Sequence, residues 1–257
     1  MISRRKLLAA GAVGAAATAF GATAAPILGL ILPVDPVVPP EAAAMYPKGI
    51  HFQAASVGLK TMTPQGYDQV LEKIAPVAKT LGSQGAQAII LMGTSLSFYK
   101  GAAFNRELTT RIATASGLPA TTMSTAVTEG LRSVGGKRLA VATAYDDEVN
   151  RRLQAYLHEE GFEVLTIKGM GIQKVEDILT VTQEGLQKFC VGVSKSAPGA
   201  DAMLVSCGGL RTLDLIAPLE QQCRIPVVSS LPHALRAGVR LLGLGGRAPG
   251  YGRLLSL

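Results

Sequence analysis

The sequence predicts an α/β fold made of two similar Rossmann-like domains, each built on a four-stranded parallel sheet. Short apolar runs alternate with longer helical patterns along the chain, as expected for βαβ units. Apolar runs such as AIILM at 88–92 indicate strands that are buried on both faces of a sheet. The chain also repeats itself, because GLPATT at 117–122 and RIPVVS at 224–229 each lie between a strand that ends in small residues and a helical pattern.

The apolar runs give the strands in order: 27–32, 52–57, 88–92, 120–123, 138–143, 163–167, 202–206 and 226–229. Helical spacing between them predicts helices at 64–81, 105–116, 147–160, 175–193 and 210–222, and the two repeated segments lead into helices that end near residues 132 and 240. The repeat places 25–123 plus 230–257 in a first domain and 124–229 in a second. Because parallel sheets bind ligands at the carboxyl ends of their strands, we expect the active site in the interdomain cleft.

Residues 1–24 are predicted to be an export signal of the twin-arginine type. Arg4, Arg5 and Lys6 precede an uncharged, Ala- and Gly-rich stretch at 7–24, which ends in the small-residue site Ala-Thr-Ala. We therefore expect an exported, periplasmic protein, or a cytoplasmic one if the signal is not used. An uncleaved membrane anchor and a misassigned start codon stay open as alternatives.

Composition excludes several classes of protein. A chain of 257 residues with 48% hydrophobic and 17% charged residues is neither disordered nor collagen-like. The net charge of +7 falls to +4 without the three basic residues of the signal, and no basic stripe is interleaved with aromatic residues. We expect no nucleic-acid partner, no membrane partner after signal removal, and a monomer.

Metal and nucleotide sites have little support in the sequence. The three cysteines form no C-x-x-C pair, and the three histidines are widely spread, so we expect no metal. No G-x-G-x-x-G opens a helix after a strand, and no Walker motif is present, so we expect no nucleotide cofactor. An odd number of cysteines cannot all pair, although one disulfide between two of them stays open in an exported chain.

Cys207 is the strongest candidate for chemistry. It lies between an apolar strand and Gly208-Gly209, just before the helix predicted at 210–222. Glycines allow close approach of a ligand to the backbone, and a helix start provides free N–H groups that suit an anion. A thiol there can donate a proton, whereas a buried structural cysteine is the alternative. Cys190 and Cys223 are predicted to be packing residues.

Two further segments place polar groups at strand ends. Gly93, Thr94 and Ser95 follow a buried strand and supply two hydroxyls and backbone amides that could bind a carboxylate or an oxyanion. Helix capping is the alternative role for such residues. Tyr145 follows the strand at 138–143 and could donate a third hydrogen bond, or it could be an aromatic at the rim of the cleft.

Six segments together resemble the arylmalonate decarboxylases, cofactor-free members of the aspartate/glutamate racemase superfamily. These segments are LMGTSLSFYKGAAFN (91–105), GLPATTMSTAV (117–127), VATAYDDEVN (141–150), LVSCGGLRTLD (204–214), IPVVSS (225–230) and RAPGYGRL (247–254). The resemblance runs from about residue 27 to the C-terminus. The export signal is a departure from the cytoplasmic form that this family suggests.

The resemblance implies a role for each candidate. Cys207 matches the proton-donating cysteine. Thr94, Ser95 and Tyr145, with the amides of Ser95, Cys207 and Gly208, match a dioxyanion hole for the retained carboxylate. Pro33, Leu59, Met62, Val175 and Ile178 match an apolar pocket for the departing carboxylate, and Gly93 also lies in the substrate pocket.

The pocket departs from the family pattern at three positions. Met62 stands where the family typically has a smaller Val, Ile178 where it has Met, and Val34 where a second proline follows Pro33. These changes bear on the size of substrate that the pocket accepts.

The resemblance thus predicts a carbon–carbon lyase that decarboxylates 2-aryl-2-methylmalonate-type dicarboxylates to chiral monoacids without a cofactor, through an enediolate that Cys207 protonates. Racemases of the superfamily use two cysteines, and the position of the first is Gly93 here, so we expect protonation from one face. A racemase or maleate cis–trans isomerase remains an alternative, as does a non-catalytic, exported protein that binds carboxylates.

Overall fold

The computed structural model describes residues 25–257, so the predicted export signal lies outside the described residues. Two parallel sheets of four strands each form the framework, which confirms the predicted fold class. The first sheet has the order β2-β1-β3-β4 and the second the order β6-β5-β7-β8. The strands are β1 (Ile27–Leu32), β2 (His51–Ser56), β3 (Ala88–Leu91), β4 (Ala120–Thr122), β5 (Arg138–Thr143), β6 (Glu163–Gly169), β7 (Ala202–Ser206) and β8 (Val227–Ser229).

The central strands are apolar because helices cover both of their faces. All four residues of β3 and all five of β7 are buried. In the first sheet Leu30 pairs with Ala54 on one side and Ile90 on the other, and in the second Val141 pairs with Ile167 and Leu204. The two sheets therefore have the same architecture, with the first and third strands of each half as the two central strands.

Twelve helices and one 3₁₀ turn connect the strands of the described chain. They are α1 (Pro40–Met45), α2 (Pro64–Asp68), α3 (Leu71–Ser83), α4 (Thr94–Phe98), α5 (Ala102–Ser116), α6 (Met123–Ser133), α7 (Asp147–Glu159), α8 (Val175–Ile178), α9 (Gln183–Lys195), the 3₁₀ turn Leu213–Leu215, α10 (Ile216–Cys223), α11 (Ser230–Leu241) and α12 (Arg253–Ser256). Within residues 25–257, no helix is long and apolar enough to span a membrane.

Three predicted helices differ from the structure. The helix predicted at 64–81 is two helices, α2 and α3. The helix predicted at 175–193 is also two, α8 and α9, because the Thr182 hydroxyl accepts a hydrogen bond from the N–H of Gly185 and caps a new helix there. The helix predicted from residue 210 begins only at Ile216, after the 3₁₀ turn. The short helices α1, α4 and α12 were not predicted.

Helices α6 and α11 occupy equivalent places in the two halves, because each directly follows the last strand of a sheet. They pack against each other, and α11 also contacts strands of both sheets. The first residues of these helices, Met123 and Ser230, are consequently brought between the two halves. The domain boundaries at 123/124 and 229/230 stay a prediction.

Candidate active site

Cys207 follows β7 in a tight turn rather than at a helix start. The N–H of Leu210 donates to the carbonyl of Cys207 at 3.3 Å, and no helix begins until residue 216. The helix start expected directly after Cys207 is therefore absent. Instead, the backbone N–H groups of Gly209 and Leu210 in the turn lie near the sulfur and lower the pKa of the thiol.

The Cys207 thiol is neutral near pH 7. The residue is only 5% exposed, and burial raises the pKa of its thiol to about 11, although the N–H groups of Gly209 and Leu210 and the Tyr145 hydroxyl oppose the rise. A thiol with this pKa holds its proton and is poorly suited to act as a nucleophile. It is suited to donate a proton to a strong base that forms beside it.

Thr94 and Ser95 open α4 immediately after β3, and both are buried. The Thr94 hydroxyl oxygen lies 2.9 Å from Ser230 Oγ and 2.9 Å from Met123 Sδ. As the first residues of a helix, Thr94 and Ser95 have backbone N–H groups without intrahelical acceptors. Both hydroxyls and these amides therefore lie at the carboxyl end of a central strand.

A pair of serines fixes the backbone of this loop. Ser97 Oγ donates to the carbonyl of Gly93 at 2.8 Å and contacts Ser124 Oγ at 2.7 Å, and Ser124 Oγ donates to the carbonyl of Thr94 at 2.9 Å. These bonds connect α4 to α6 within the protein interior. The loop thus holds its shape without help from a ligand.

Gly93 is closely packed, so a larger side chain there would require its neighbours to shift by a few tenths of an ångström. A Cβ added at Gly93 would lie 3.1 Å from the Cβ of Leu96 and 3.3 Å from Pro33 Cγ. The side chains around Gly93 are therefore apolar, at the position where the resemblance predicts a second thiol in racemases.

Tyr145 reaches the same region from β5. It is 1% exposed, and its hydroxyl contacts Ser206 Oγ at 3.3 Å. Burial, together with the nearby thiol of Cys207, raises the pKa of this phenol well above its usual value. The Tyr145 hydroxyl therefore keeps its proton and can donate a hydrogen bond.

The predicted pocket residues lie on loops and on α8, close to the segments at 93–95 and 207–210. Leu59, Met62 and Ile178 are buried, and Pro33 and Val175 are half-buried. Pro33 packs beside Gly93, its carbonyl accepts the N–H of Leu59 at 2.6 Å, and Ile178 packs against Gly209. Val175 begins the same short helix as Ile178.

Two of these loops are joined by their backbones into a strap, which we define as residues 61–62 and 173–174. Thr61 and Lys174 form an antiparallel bridge, and the N–H of Met62 donates to the carbonyl of Gln173 at 2.9 Å. The strap links the segment after β2 to the segment after β6, hence the two halves of the molecule. With Thr94, Ser95, Tyr145 and Cys207 all buried, the site is closed to solvent in this conformation.

Four side chains belong to the site without having been predicted: Tyr67, Met123, Ser206 and Ser230. Tyr67 is fully buried beside Ser95 and Cys207, and its hydroxyl makes no hydrogen bond of good geometry within residues 25–257. The side chain of Met123 packs against Gly208, 3.2 Å from the point that an added Cβ would occupy. Ser206 and Ser230 lie within two of the segments that carry the resemblance, but nothing in their spacing indicated a contact.

One expected donor is already engaged. The N–H of Cys207 points at Ser230 Oγ, 3.3 Å away, so this amide does not face a ligand as the resemblance suggested. The N–H of Gly208, by contrast, has no acceptor within residues 25–257. Cys190 and Cys223 are free thiols away from these segments, on α9 and α10. Among the described residues no cluster of His, Cys, Asp and Glu could hold a metal ion.

Comparison with known proteins identifies close relatives. The family described as arylmalonate decarboxylase matches residues 28–255. A relative named arylmalonate decarboxylase, from Bordetella bronchiseptica, is 48% identical over 231 residues, which cover 89% of this chain and 96% of that protein. A liganded double mutant of arylmalonate decarboxylase superposes with a TM-score of 0.87 at 47% identity, covering 89% of this chain and 98% of that one.

The fold itself extends to more distant proteins. A maleate isomerase from Pseudomonas putida S16, solved with maleate, gives a TM-score of 0.82 at 22% identity and covers 90% of this chain and 97% of that one. At this level of identity the likeness concerns the two-sheet architecture alone.

Proposed function

The chain belongs to the arylmalonate decarboxylase family of carboxy-lyases, and from this premise we propose that it decarboxylates 2-aryl-2-methylmalonates and related disubstituted malonates to chiral monoacids, without a cofactor. One observation carries the proposal: a neutral, buried thiol, Cys207, lies in a closed site with the hydroxyls of Thr94, Ser95 and Tyr145. This combination supplies hydrogen-bond donors for an anion and a proton for a carbanion.

In the proposed mechanism the retained carboxylate is bound by hydroxyls and amides. Thr94, Ser95 and Tyr145 donate from their side chains, and Ser95 and Gly208 donate from their backbones. When the carbon–carbon bond to the other carboxylate breaks, its electron pair delocalises into the retained carboxylate and forms an enediolate. The bound oxygens then carry two negative charges, so the same donors bind the transition state more strongly than the substrate.

The departing carboxylate occupies the apolar pocket of Pro33, Leu59, Met62, Val175 and Ile178. These side chains offer it no hydrogen bonds, so the charged group is less stable there than in water. Neutral carbon dioxide suffers no such loss, and its formation is therefore favoured.

Cys207 completes the reaction by donating its proton to the α-carbon, and the resulting thiolate recovers a proton from solvent. The opposite wall carries Gly93, which has no acidic group. Protonation consequently occurs from one face, and one enantiomer of the product is formed in large excess.

Turnover and stereochemistry test this proposal together. The chain without its signal is incubated with a malonate panel that includes 2-methyl-2-phenylmalonate in heavy water, and carbon dioxide and the chirality of the product are measured. We expect an enantioenriched monoacid with deuterium at the α-carbon, whereas a racemic product would contradict one-sided protonation.

Two substitutions test the role of the thiol. Cys207→Ser should lower kcat at least about 100-fold, since a serine hydroxyl is a much weaker acid. The matched control is Cys223→Ser, which replaces a half-buried thiol on α10 and should leave turnover unchanged. Near-normal activity of Cys207→Ser would remove Cys207 from the role of proton donor.

Two alternatives predict other results with the same panel. A racemase or cis–trans isomerase would convert chiral acids or maleate without releasing carbon dioxide. An enzyme of that type that attacks with sulfur needs a thiolate, which the raised pKa of Cys207 disfavours. A protein that only binds carboxylates would show saturable binding and no turnover.

We propose in addition that residues 1–24 direct export and that the mature chain is monomeric. Fusion of this segment to a folded reporter tests the first point, and replacing Arg4 and Arg5 by lysine keeps the charge but should abolish export. Sedimentation analysis of the mature chain tests the second.

A further inference from the structure

Ser230 is a buried serine to which the proposed chemistry assigns no task. It is the first residue of α11 and is 0% exposed. Its Oγ lies 2.9 Å from Thr94 Oγ1 and 3.3 Å from the backbone nitrogen of Cys207. Thr94 follows a strand of the first sheet and Cys207 a strand of the second, so one hydroxyl connects the two reacting segments.

The donors and acceptors around Ser230 restrict what each group can do. A serine hydroxyl has one proton and two lone pairs, and the N–H of Cys207 can only donate, so it takes one lone pair of Ser230 Oγ. In the free site the Thr94 hydroxyl donates to the other. When the Thr94 proton turns to a bound carboxylate, the Ser230 proton is free to turn to Thr94 Oγ1.

The bond between the two hydroxyls therefore persists with its direction reversed. A hydroxyl that accepts one hydrogen bond becomes a stronger donor in another, because the two bonds polarise each other. Thr94 would then donate most strongly when the carboxylate oxygens carry the extra charge of the enediolate.

The other neighbour of the Thr94 hydroxyl cannot perform this task. Met123 Sδ is also 2.9 Å from Thr94 Oγ1, and Met123 is the first residue of α6, the position equivalent to Ser230 in the first half. A thioether can accept a hydrogen bond weakly but has no proton to donate. Of these two equivalent positions, only that of Ser230 can support Thr94 while Thr94 donates to a ligand.

We propose that Ser230 is a positioning residue for decarboxylation: it orients the Thr94 hydroxyl toward the carboxylate and holds the backbone of Cys207 at a fixed distance from it. This inference rests on the proposed function. Because the support increases with the charge on the carboxylate, Ser230 should affect kcat more than KM.

The primary test compares Ser230→Ala with Ser229→Ala. Ser229 is equally buried and adjacent, but its hydroxyl bonds to Thr212 rather than to the site. We expect Ser230→Ala to lower kcat about tenfold with KM within about threefold, and Ser229→Ala to keep kcat within about twofold. Thermal unfolding of both variants shows whether each is folded. Equal losses of kcat in the two variants would overturn the proposal.

A double-mutant cycle with Thr94→Val separates positioning from general packing. If Ser230 acts through the Thr94 hydroxyl, Ser230→Ala should lower kcat less than about twofold once that hydroxyl is absent. The same tenfold loss in both backgrounds would show that Ser230 does not act through Thr94.

Hydrogen exchange at the Cys207 amide gives a readout that does not depend on turnover. Ser230→Ala removes the acceptor of this N–H, so its exchange should accelerate at least about tenfold relative to Ser229→Ala. An unchanged rate would overturn the assigned contact. If the wild-type chain decarboxylates no malonate, the proposed function fails, and the Ser230 inference is decided by this rate and by the same cycle on the dissociation constant of 2-phenylpropionate.

Discussion

The protonation state of Cys207 makes a quantitative prediction about alkaline pH. A proton donor works only while it holds its proton, so kcat/KM should follow the titration of the free enzyme's thiol. An ordinary thiol with a pKa near 9.0 would be only about 10% protonated at pH 10, whereas Cys207, with its pKa raised to about 11, would remain about 90% protonated. The structure therefore predicts nearly constant kcat/KM from pH 7.5 to about pH 10.

The magnitude comes from burial of Cys207, which is only 5% exposed. Two units of pKa correspond to about 3 kcal/mol of preference for the neutral form in the folded protein. In the unfolded chain the thiol releases its proton near pH 9. The free energy of unfolding should consequently be unaffected by this group below pH 9 and should fall by about 1.4 kcal/mol per pH unit between about pH 9 and pH 11.

The assay is initial-rate decarboxylation of 2-methyl-2-phenylmalonate at pH 7.5 to 10.5, with circular dichroism at each pH to verify folding. Urea unfolding of the wild type and of Cys207→Ser over the same range isolates the thiol's contribution, because the serine variant lacks this titration. A tenfold fall of kcat/KM between pH 8 and pH 10 in a folded enzyme would refute the argument. So would wild-type and variant stabilities that run parallel up to pH 11.

Two further predictions concern the support of the site. Gly169→Ala should lower the free energy of unfolding by about 3 kcal/mol, since its Cβ would lie 2.0 Å from the carbonyl oxygen of Tyr145. Chemical denaturation measures this loss. The control is Gly192→Ala in α9, which should not lose stability because the added Cβ would have no atom within 4 Å. Tyr67→Phe should leave stability unchanged or raise it by up to about 1 kcal/mol, because the removed hydroxyl is buried and makes no hydrogen bond of good geometry among the described residues. Tyr99→Phe, which deletes a 2.7 Å bond to Asp68, should instead lose about 1 kcal/mol, and equal effects of the two substitutions would contradict this reading.

The strands could be predicted from sequence because a strand that is buried on both faces is a continuous run of apolar residues. The runs at 27–32, 138–143 and 202–206 coincide with β1, β5 and β7 to the residue. Helix boundaries were harder to predict, since the apolar spacing of one helix continues into the residues that precede or follow it. Leu210 fits the helical pattern of the residues that follow it, yet its N–H closes the turn at Cys207.

Contacts between the two halves could not be predicted from local pattern. Thr94 and Ser230 are 136 positions apart, and nothing in either segment specifies that their hydroxyls meet. Tyr67 illustrates the same limit, because an aromatic residue in a helical pattern predicts burial but says nothing about whether its hydroxyl finds a partner. Sequence resemblance placed Cys207, Thr94 and Tyr145 in one site, but the engagement of the Cys207 amide required coordinates.

Met62 contributes to the structure through its backbone and to the predicted pocket through its side chain. Its backbone N–H bonds to the carbonyl of Gln173 and so helps to hold the two halves together, while its buried side chain belongs to the predicted pocket. The bond uses no side-chain atom, so any residue other than proline can preserve it. A substitution at position 62 can therefore change the size of the predicted pocket, in evolution or in the laboratory, while the backbone bond between the two halves is kept.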